Sequence, residues 1–157
     1  MKNICRITAL ALVMLICLSV FAVSAFAAEP QSIVLSARVT ASGTYPLPVE
    51  EYTVVLEPTD SSNPMPEGSK DGVYKLVLYG AGKKSFPAIT FDTLGVYQYK
   101  IYQKMESAPY ADYDDTVYTA TVYVLNSETQ DDAITVTVVL NRKGSDEKPD
   151  EVVFKNR

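Results

Sequence analysis

Residues 95–103 read GVYQYKIYQ, and this stretch decides the fold class because its side chains alternate in character at every second position. Successive side chains of a β-strand point to opposite faces. One face of the predicted strand therefore carries Tyr97, Tyr99, Ile101 and Gln103, and the other carries Val96, Gln98, Lys100 and Tyr102. Gly95 marks the start of the segment. The pattern predicts a strand with one buried face.

The same alternation recurs on both sides of this stretch, and no segment shows a convincing helical stripe. The predicted first strand places four apolar residues on one face: Ile33, Leu35, Ala37 and Val39. Further strand or apolar segments lie at 52–56, 73–79, 86–91, 116–125, 133–141 and 152–156. About seven to eight mostly antiparallel strands, separated by frequent turn signals, are typical of an immunoglobulin-like β-sandwich. The sequence therefore predicts an all-β fold with a single domain over residues 28–157.

The first 27 residues have the features of a signal peptide. Lys2 and Arg6 precede an apolar run at 7–23, and the small residues Ala25 and Ala27 follow it. A transmembrane helix is the competing interpretation, but small residues two positions apart are what a signal peptidase requires. We therefore expect cleavage after Ala27, secretion of the chain, and no membrane span in the mature protein.

Both cysteines lie within this leader. Cys17 is a weak candidate for lipid attachment, because the residue before a lipoprotein cysteine should be small and Ile16 is not. Cleavage after Ala27 would remove Cys17 together with Cys5. The mature chain is therefore expected to have neither disulfides nor thiol chemistry.

Charge and composition exclude several classes of function. Removing Lys2 and Arg6 leaves 12 basic residues against 19 acidic ones, which gives the mature chain a net charge of −7. A chain this acidic is not expected to bind nucleic acid. The chain contains no histidine, so Ser-His and Cys-His catalytic pairs and His-ligated metal sites are excluded. We expect no enzymatic activity and no cofactor.

Two polar sets remain as binding candidates. Five aspartates could offer oxygen ligands to calcium: Asp112, Asp114, Asp115, Asp131 and Asp132. Their spacing lacks the ordered pattern of a calcium loop, and aspartate is common in turns, so no metal site is predicted. Seven tyrosines could line a sugar-binding face: Tyr97, Tyr99, Tyr102, Tyr110, Tyr113, Tyr118 and Tyr123. The simpler interpretation is that their rings pack on strands while their hydroxyls reach water.

An ordered series of spaced residues in the second half of the chain resembles one known family. The series consists of Phe86, Ile89, Phe91, Gly95, Tyr97, Tyr99, Ile101, Tyr113, Asp114, Thr116, Tyr118, Ala120, Val122, Val124, Phe154 and Asn156. It is similar to the streptococcal pilin isopeptide-linkage domain, which occurs in pilus backbone subunits and surface adhesins of Gram-positive bacteria. The resemblance covers nearly the whole predicted mature chain.

The resemblance implies a spontaneous cross-link, which this sequence is not equipped to make. In the family, a lysine on the first strand attacks an asparagine amide on the last strand with the help of a buried acid. The matching positions here are Val39, Gln103 and Asn156. Val39 has no amine, and Gln103 cannot exchange a proton as a carboxyl does. We therefore expect no isopeptide bond, and instead a buried amide pair between Gln103 and Asn156.

Neighbouring basic residues do not replace the missing lysine. Arg38 is one position from Val39, so it points to the opposite face, and its guanidinium stays protonated. The chain also ends at Arg157 without the sorting signal expected of a wall-anchored pilin, and it has no recognisable lysine for sortase-mediated polymerisation. The resemblance implies that Val39 lies near Asn156 on neighbouring terminal strands, and we expect these strands to carry no covalent link.

Two functions follow from the resemblance. The first is a secreted, non-catalytic module of a pilin or adhesin at a Gram-positive cell surface, whose partners are other surface or pilus proteins or a host ligand. The second is a secreted carbohydrate- or ligand-binding module on the same sandwich fold. An exposed tyrosine platform in a groove would favour the second function, and flat polar faces with a bare sheet edge would favour the first.

Overall fold

The computed structural model describes residues 29–43, 50–104, 112–128, 133–146 and 148–157. These residues form strands connected by turns and loops, and they contain no helix that could span a membrane. The strands are β1 (Gln31–Ile33), β2 (Ser36–Ala41), β3 (Glu51–Pro58), β4 (Tyr74–Tyr79), β5 (Gly82–Ser85), β6 (Ile89–Phe91), β7 (Gly95–Gln103), β8 (Val117–Asn126), β9 (Ile134–Arg142) and β10 (Val152–Asn156). The predicted all-β fold is confirmed.

One layer of the fold is a five-stranded antiparallel sheet with the order β4-β3-β7-β8-β9. The stretch that decides the fold class forms β7, at the centre of this sheet. Its predicted faces are confirmed, because Tyr99 and Ile101 are fully buried whereas Val96 is 57% exposed. The predicted strand segments 116–125 and 133–141 correspond to β8 and β9, which form an antiparallel pair.

The opposite layer contains a three-stranded sheet with the order β10-β2-β5 and the two-stranded pair β1-β6. The terminal strands β2 and β10 are parallel, whereas all other pairs are antiparallel. The described residues form ten strands rather than seven or eight. The predicted first strand is broken at Val34 and Leu35 into β1 and β2, and the short strand β5 follows the glycine-containing break at 80–82.

The core lies between the two layers. Its fully buried side chains include Val54, Leu56, Tyr99, Ile101 and Val122 from the large sheet and Ala37, Val39, Phe91 and Phe154 from the opposite layer. Tyr118 and Phe154 join the layers through an edge-to-face contact with ring centroids 5.6 Å apart. Burial of each large apolar side chain contributes about 1.5–3 kcal/mol. Apolar packing therefore joins the strands β2 and β10 to the large sheet.

Candidate functional site

The first and last long strands lie side by side at the candidate site. The strand β10 runs parallel to β2, with Phe154 opposite Val39 and Asn156 opposite Ala41. Val39 is 1% exposed and Asn156 is 3% exposed, so both side chains point into the sandwich. The position of Val39 is thus filled by an apolar side chain packed in the core, one strand away from Asn156.

Gln103 reaches the same place from the large sheet. It is the last residue of β7, pairs with Val54 of β3, and is 4% exposed. Its Nε2 donates a hydrogen bond to Asn156 Oδ1 at 3.0 Å, and Asn156 Nδ2 donates to Gln103 Oε1 at 3.1 Å. Within the pair, each amide donates one hydrogen bond to the other and accepts one from it. The two layers are therefore joined at this end by a buried pair of neutral amides.

Asp114 donates one further hydrogen bond to the amide of Asn156 and binds the backbone beside it, a role that the sequence did not indicate. The backbone N–H of Asp114 donates to Asn156 Oδ1 at 2.9 Å. Its carboxylate accepts from the backbone N–H of Lys155 at 2.7 Å and from that of Thr116 at 2.9 Å. An aspartate two residues before a threonine is a common turn signal, and it is the only local sign of this contact.

The pKa of Asp114 is the result of opposing effects. Burial by itself raises the pKa of this carboxyl. Hydrogen bonds from Thr116 and Lys155, together with the positive charge of Arg142, outweigh burial and lower the pKa below its usual value. The carboxylate of Asp114 is therefore charged at neutral pH and fixes the backbone next to Asn156.

Backbone hydrogen bonds hold the end of β10 on both sides. The N–H of Ser42 donates to the carbonyl of Asn156 at 3.1 Å. Asp112 and Arg157 exchange two backbone hydrogen bonds, at 2.6 and 3.0 Å. Because the backbone around Asn156 is bonded to two other segments, its side chain is held in a defined position.

The basic residues near these positions point away from the amide pair. Arg38 lies on the opposite face of β2 from Val39, and its guanidinium contacts the Glu151 carboxylate at 3.1 Å. Lys83 contacts the same carboxylate at 2.9 Å. Lys100 and Lys155 are exposed on their strands. The three strands that meet at the site contribute Val39, Gln103 and Asn156, and these side chains include neither an amine nor a carboxyl group.

The other binding candidates do not converge on a site. Within the described parts of the chain, no group of three or more acidic or Cys side chains could hold a metal ion. Asp131, Asp132 and Tyr110 lie outside the described residues. Tyr99 and Tyr118 are buried, and their hydroxyls donate to the backbone carbonyls of Pro64 and Val153 at 2.7 Å.

The remaining described tyrosines of this set lie on the inner face of β7, on the outer face of the large sheet, or in the turn before β8. Tyr97 packs on Phe91 and donates to the carbonyl of Thr93 at 2.8 Å. Tyr102 donates to the Glu57 carboxylate at 2.8 Å. Tyr113 makes an edge contact with Tyr52, and Tyr123 lies on the outer face of β8. Tyr102 pairs with Val117 and Tyr123 with Val96, near opposite ends of the β7–β8 ladder, so the two tyrosines on the outer face do not form one platform.

Two solved structures with a similar fold are major pilin proteins of Streptococcus pyogenes. The T-13 pilin is 20% identical, with a TM-score of 0.53 over 82% of this chain and 53% of the pilin. The T3.2 pilin is 23% identical, with a TM-score of 0.54 over 82% of this chain and 54% of the pilin. This chain therefore spans about half the length of each pilin.

The family model FctA, described as the Spy0128-like isopeptide containing domain, matches residues 36–157. No curated protein matches the chain in sequence. The matched range contains β2, β7 and β10, the strands that carry Val39, Gln103 and Asn156. The predicted resemblance to the streptococcal pilin isopeptide-linkage domain is confirmed. The chain belongs to the family of Spy0128-like isopeptide-containing domains.

Proposed function

We propose that this protein is a secreted, non-catalytic structural module of the pilin type at a Gram-positive cell surface, in which a hydrogen-bonded amide pair replaces the family's covalent cross-link. The observation that carries the proposal is the mutual hydrogen bonding of Gln103 and Asn156 beside a buried Val39. These three residues are the positions that match the lysine, acid and asparagine of the family's site.

The chemistry of the cross-link requires groups that these positions lack. An uncharged amine must attack the amide carbon of the asparagine, and ammonia must leave as the new amide forms. A carboxyl group has to polarise the amide and transfer protons during both steps. Valine offers no nucleophile and the amide of Gln103 offers no titratable proton, so Asn156 keeps its own amide.

The residues that are present form a reversible connection between strands. Each hydrogen bond of the amide pair contributes about 0.5–1.5 kcal/mol, and burial of the Val39 side chain contributes about 1.5–3 kcal/mol. By analogy with a disulfide, a covalent link closing a loop of about 100 residues contributes about 5 kcal/mol. A covalent bond also persists under load. Hydrogen bonds between two strands break when force separates the strands, and they re-form only after the strands come back together. The module is therefore suited to lower mechanical loads than a cross-linked relative.

Secretion is supported by the leader sequence, and the binding partners follow from the surfaces. Lys2, Arg6 and the apolar run before Ala27 have the pattern of an export signal. The hydroxyls of Tyr97, Tyr99 and Tyr118 are bonded to backbone carbonyls, and Tyr102 and Tyr123 lie near opposite ends of the β7–β8 ladder, which does not favour a tyrosine platform for a sugar. We therefore assign protein partners, either other surface or pilus proteins or a host protein, in preference to a carbohydrate.

Fractionation of the producing bacterium tests this function. An antibody against the chain should detect it in the medium or cell-wall fraction, and amino-terminal sequencing should give a first residue of Ala28. A glycan array probed with the same mature protein should show no binding above background. Recovery of the intact leader in the cytoplasm, or specific retention by a glycan, would contradict the proposal.

A further inference from the structure

Three of the four outer edges of the two larger sheets are covered or blunted. On β10, the Tyr118 hydroxyl donates to the carbonyl of Val153 at 2.7 Å and accepts from its N–H at 3.3 Å, and Asp114 accepts from the N–H of Lys155. On β4, the Lys84 ammonium donates to the carbonyl of Val77 at 2.9 Å. The edge strand β5 has only four residues, two of them lysines. Such features prevent an edge from pairing with another chain.

The edge strand β9 lacks these features. It has nine residues, pairs only with β8 among the described strands, and carries no charge or proline from Ile134 to Asn141. Its inward-facing residues Val136, Val138 and Leu140 are only partly buried. Val138 and Leu140 line a groove of about 300 Å³ between the sheets, whose walls include the apolar Leu35, Ile101 and Val152 and the charged Lys83, Asp150 and Glu151. A long, uncharged and partly apolar edge is a site for strand addition.

The hydrogen bonds of the hairpin show which backbone groups point to the free edge. Lys143 N–H donates to Val117 and Ser127 N–H donates to Ala133, so the odd-numbered positions of β9 are the ones bonded to β8. In an antiparallel ladder the alternate residues direct both backbone groups to the other side. The free groups are therefore those of Val136, Val138 and Leu140, together with the N–H of Arg142, whose carbonyl already accepts from the N–H of Ser145 at 3.1 Å.

The strand β1 limits how much of this edge is available. It packs near β9 while its hydrogen bonds run to β6. Because Asn156 and the end of β2 lie at the Gln103 end of the molecule, β1 lies at the opposite end, beside the start of β9. The part of the edge toward Arg142 is therefore the part farther from β1, and the segment Val136–Arg142 runs along it.

We propose that Val136–Arg142 pairs antiparallel with the same segment of a second copy of this chain, so that two large sheets join edge to edge. Pairing the free even-numbered residues places Val138 opposite the partner copy's Leu140 and Val136 opposite its Arg142. The odd-numbered Val139 residues of the two copies then lie opposite each other on the outer face. Every apolar side chain in the segment meets an apolar side chain or the aliphatic part of Arg142.

Self-pairing is favoured over a foreign strand because the segment is complementary to itself. A two-fold axis at Val139 lets the same residues serve both sides, as in isologous dimers. The antiparallel direction also separates the two Arg142 side chains, which a parallel pairing would place next to each other. A seven-residue ladder is about 24 Å long and one strand wide, below the standard interface size, so the dimer is weak.

The proposal can be tested by sedimentation velocity of the protein expressed without residues 1–27. The protein concentration should run from about 10 µM to about 1 mM, the range in which a weak dimer is populated. We expect a reversible shift from monomer to dimer. Val138→Lys places a charge on the inward face of the edge and should leave the chain monomeric throughout. The matched control Val96→Lys changes the same residue types on the exposed face of β7 and should dimerise like the wild type.

Hydrogen exchange of the unmodified chain provides a readout that does not depend on the folding of a variant. When nine-tenths of the chains are dimeric, the amides of Val136, Val138, Leu140 and Arg142 should exchange about tenfold more slowly than in dilute protein. The amides of Thr137, Val139 and Asn141 already bond to β8 and should not change. The proposal would be overturned if the chain stays monomeric at about 1 mM, or if Val138→Lys still dimerises. It would also be overturned if Val96→Lys loses dimerisation to the same extent, or if the exchange rates of the edge amides do not change on dimerisation.

Discussion

Among single residues, Val39 occupies the position at which the proposed function places the missing lysine of the family's cross-link. Its side chain is fully buried opposite Phe154, so an amine introduced there would lie among apolar groups next to the Gln103–Asn156 pair. Desolvation would lower the pKa of that amine and leave a fraction of it uncharged. The two substitutions needed for the cross-link are therefore a lysine at one position and a carboxyl at the other.

We predict that the double substitution Val39→Lys with Gln103→Glu produces an isopeptide bond to Asn156. Intact mass spectrometry should show the loss of one ammonia, and the melting temperature should rise above that of the wild type. Val39→Lys alone lacks the acid and should destabilise the fold by about 3–5 kcal/mol in urea unfolding, because the buried amine is unpaired. Arg38→Lys, one residue away on the opposite face, is the control. It should lose no ammonia and should be about as stable as the wild type. A folded double variant that keeps its full calculated mass and an unmodified Asn156 would contradict this role of Val39.

At the scale of elements, the turn before β8 fixes β10 through the Asp114 carboxylate. The folded pKa of Asp114 is lowered, so its contribution to stability is fully present above the unfolded pKa and is lost as the pH falls through the folded pKa. We therefore predict that Asp114→Asn lowers the melting temperature at neutral pH, and that the difference from the wild type narrows as the pH falls below the ordinary value of 3.8. The exposed neighbour Asp115 provides the control, since Asp115→Asn should leave the dependence of the melting temperature on pH unchanged. A difference that stays constant between neutral and strongly acidic pH would argue against this charge-dependent role.

The strands show which parts of the fold can be predicted from local sequence. The strands β7, β8 and β9 follow from alternation to within one residue at each end, because the inward face of each is more apolar than its outward face. The strand β5 could not be predicted, since its residues Gly82 to Ser85 show no apolar alternation and it forms through pairing with β2. The same alternation placed Gln103 and Asn156 on inward faces. The contact of Asp114 with Asn156 depends on how separate segments fold together, which no local pattern specifies.

At the scale of the whole molecule, the terminal strands β2 and β10 are held by a ladder, a packed core and the amide pair, all of which are reversible. In a cross-linked relative, force applied to the ends would be carried by a covalent bond between these strands. If this chain lacks the cross-link, as we propose, the force would be carried by hydrogen bonds and apolar contacts. We therefore propose that this family member folds and is exported without its covalent link.

The intact mass of the exported protein tests this claim most directly. High-resolution mass spectrometry of protein purified from the producing bacterium should give the full calculated mass of a chain beginning at Ala28. The Asn156→Ala variant should differ from it only by the mass of the exchanged side chain, and digestion should yield Asn156 in an unmodified peptide. A wild-type mass lower by one ammonia, with a cross-linked peptide joining Asn156 to any lysine, would contradict the account.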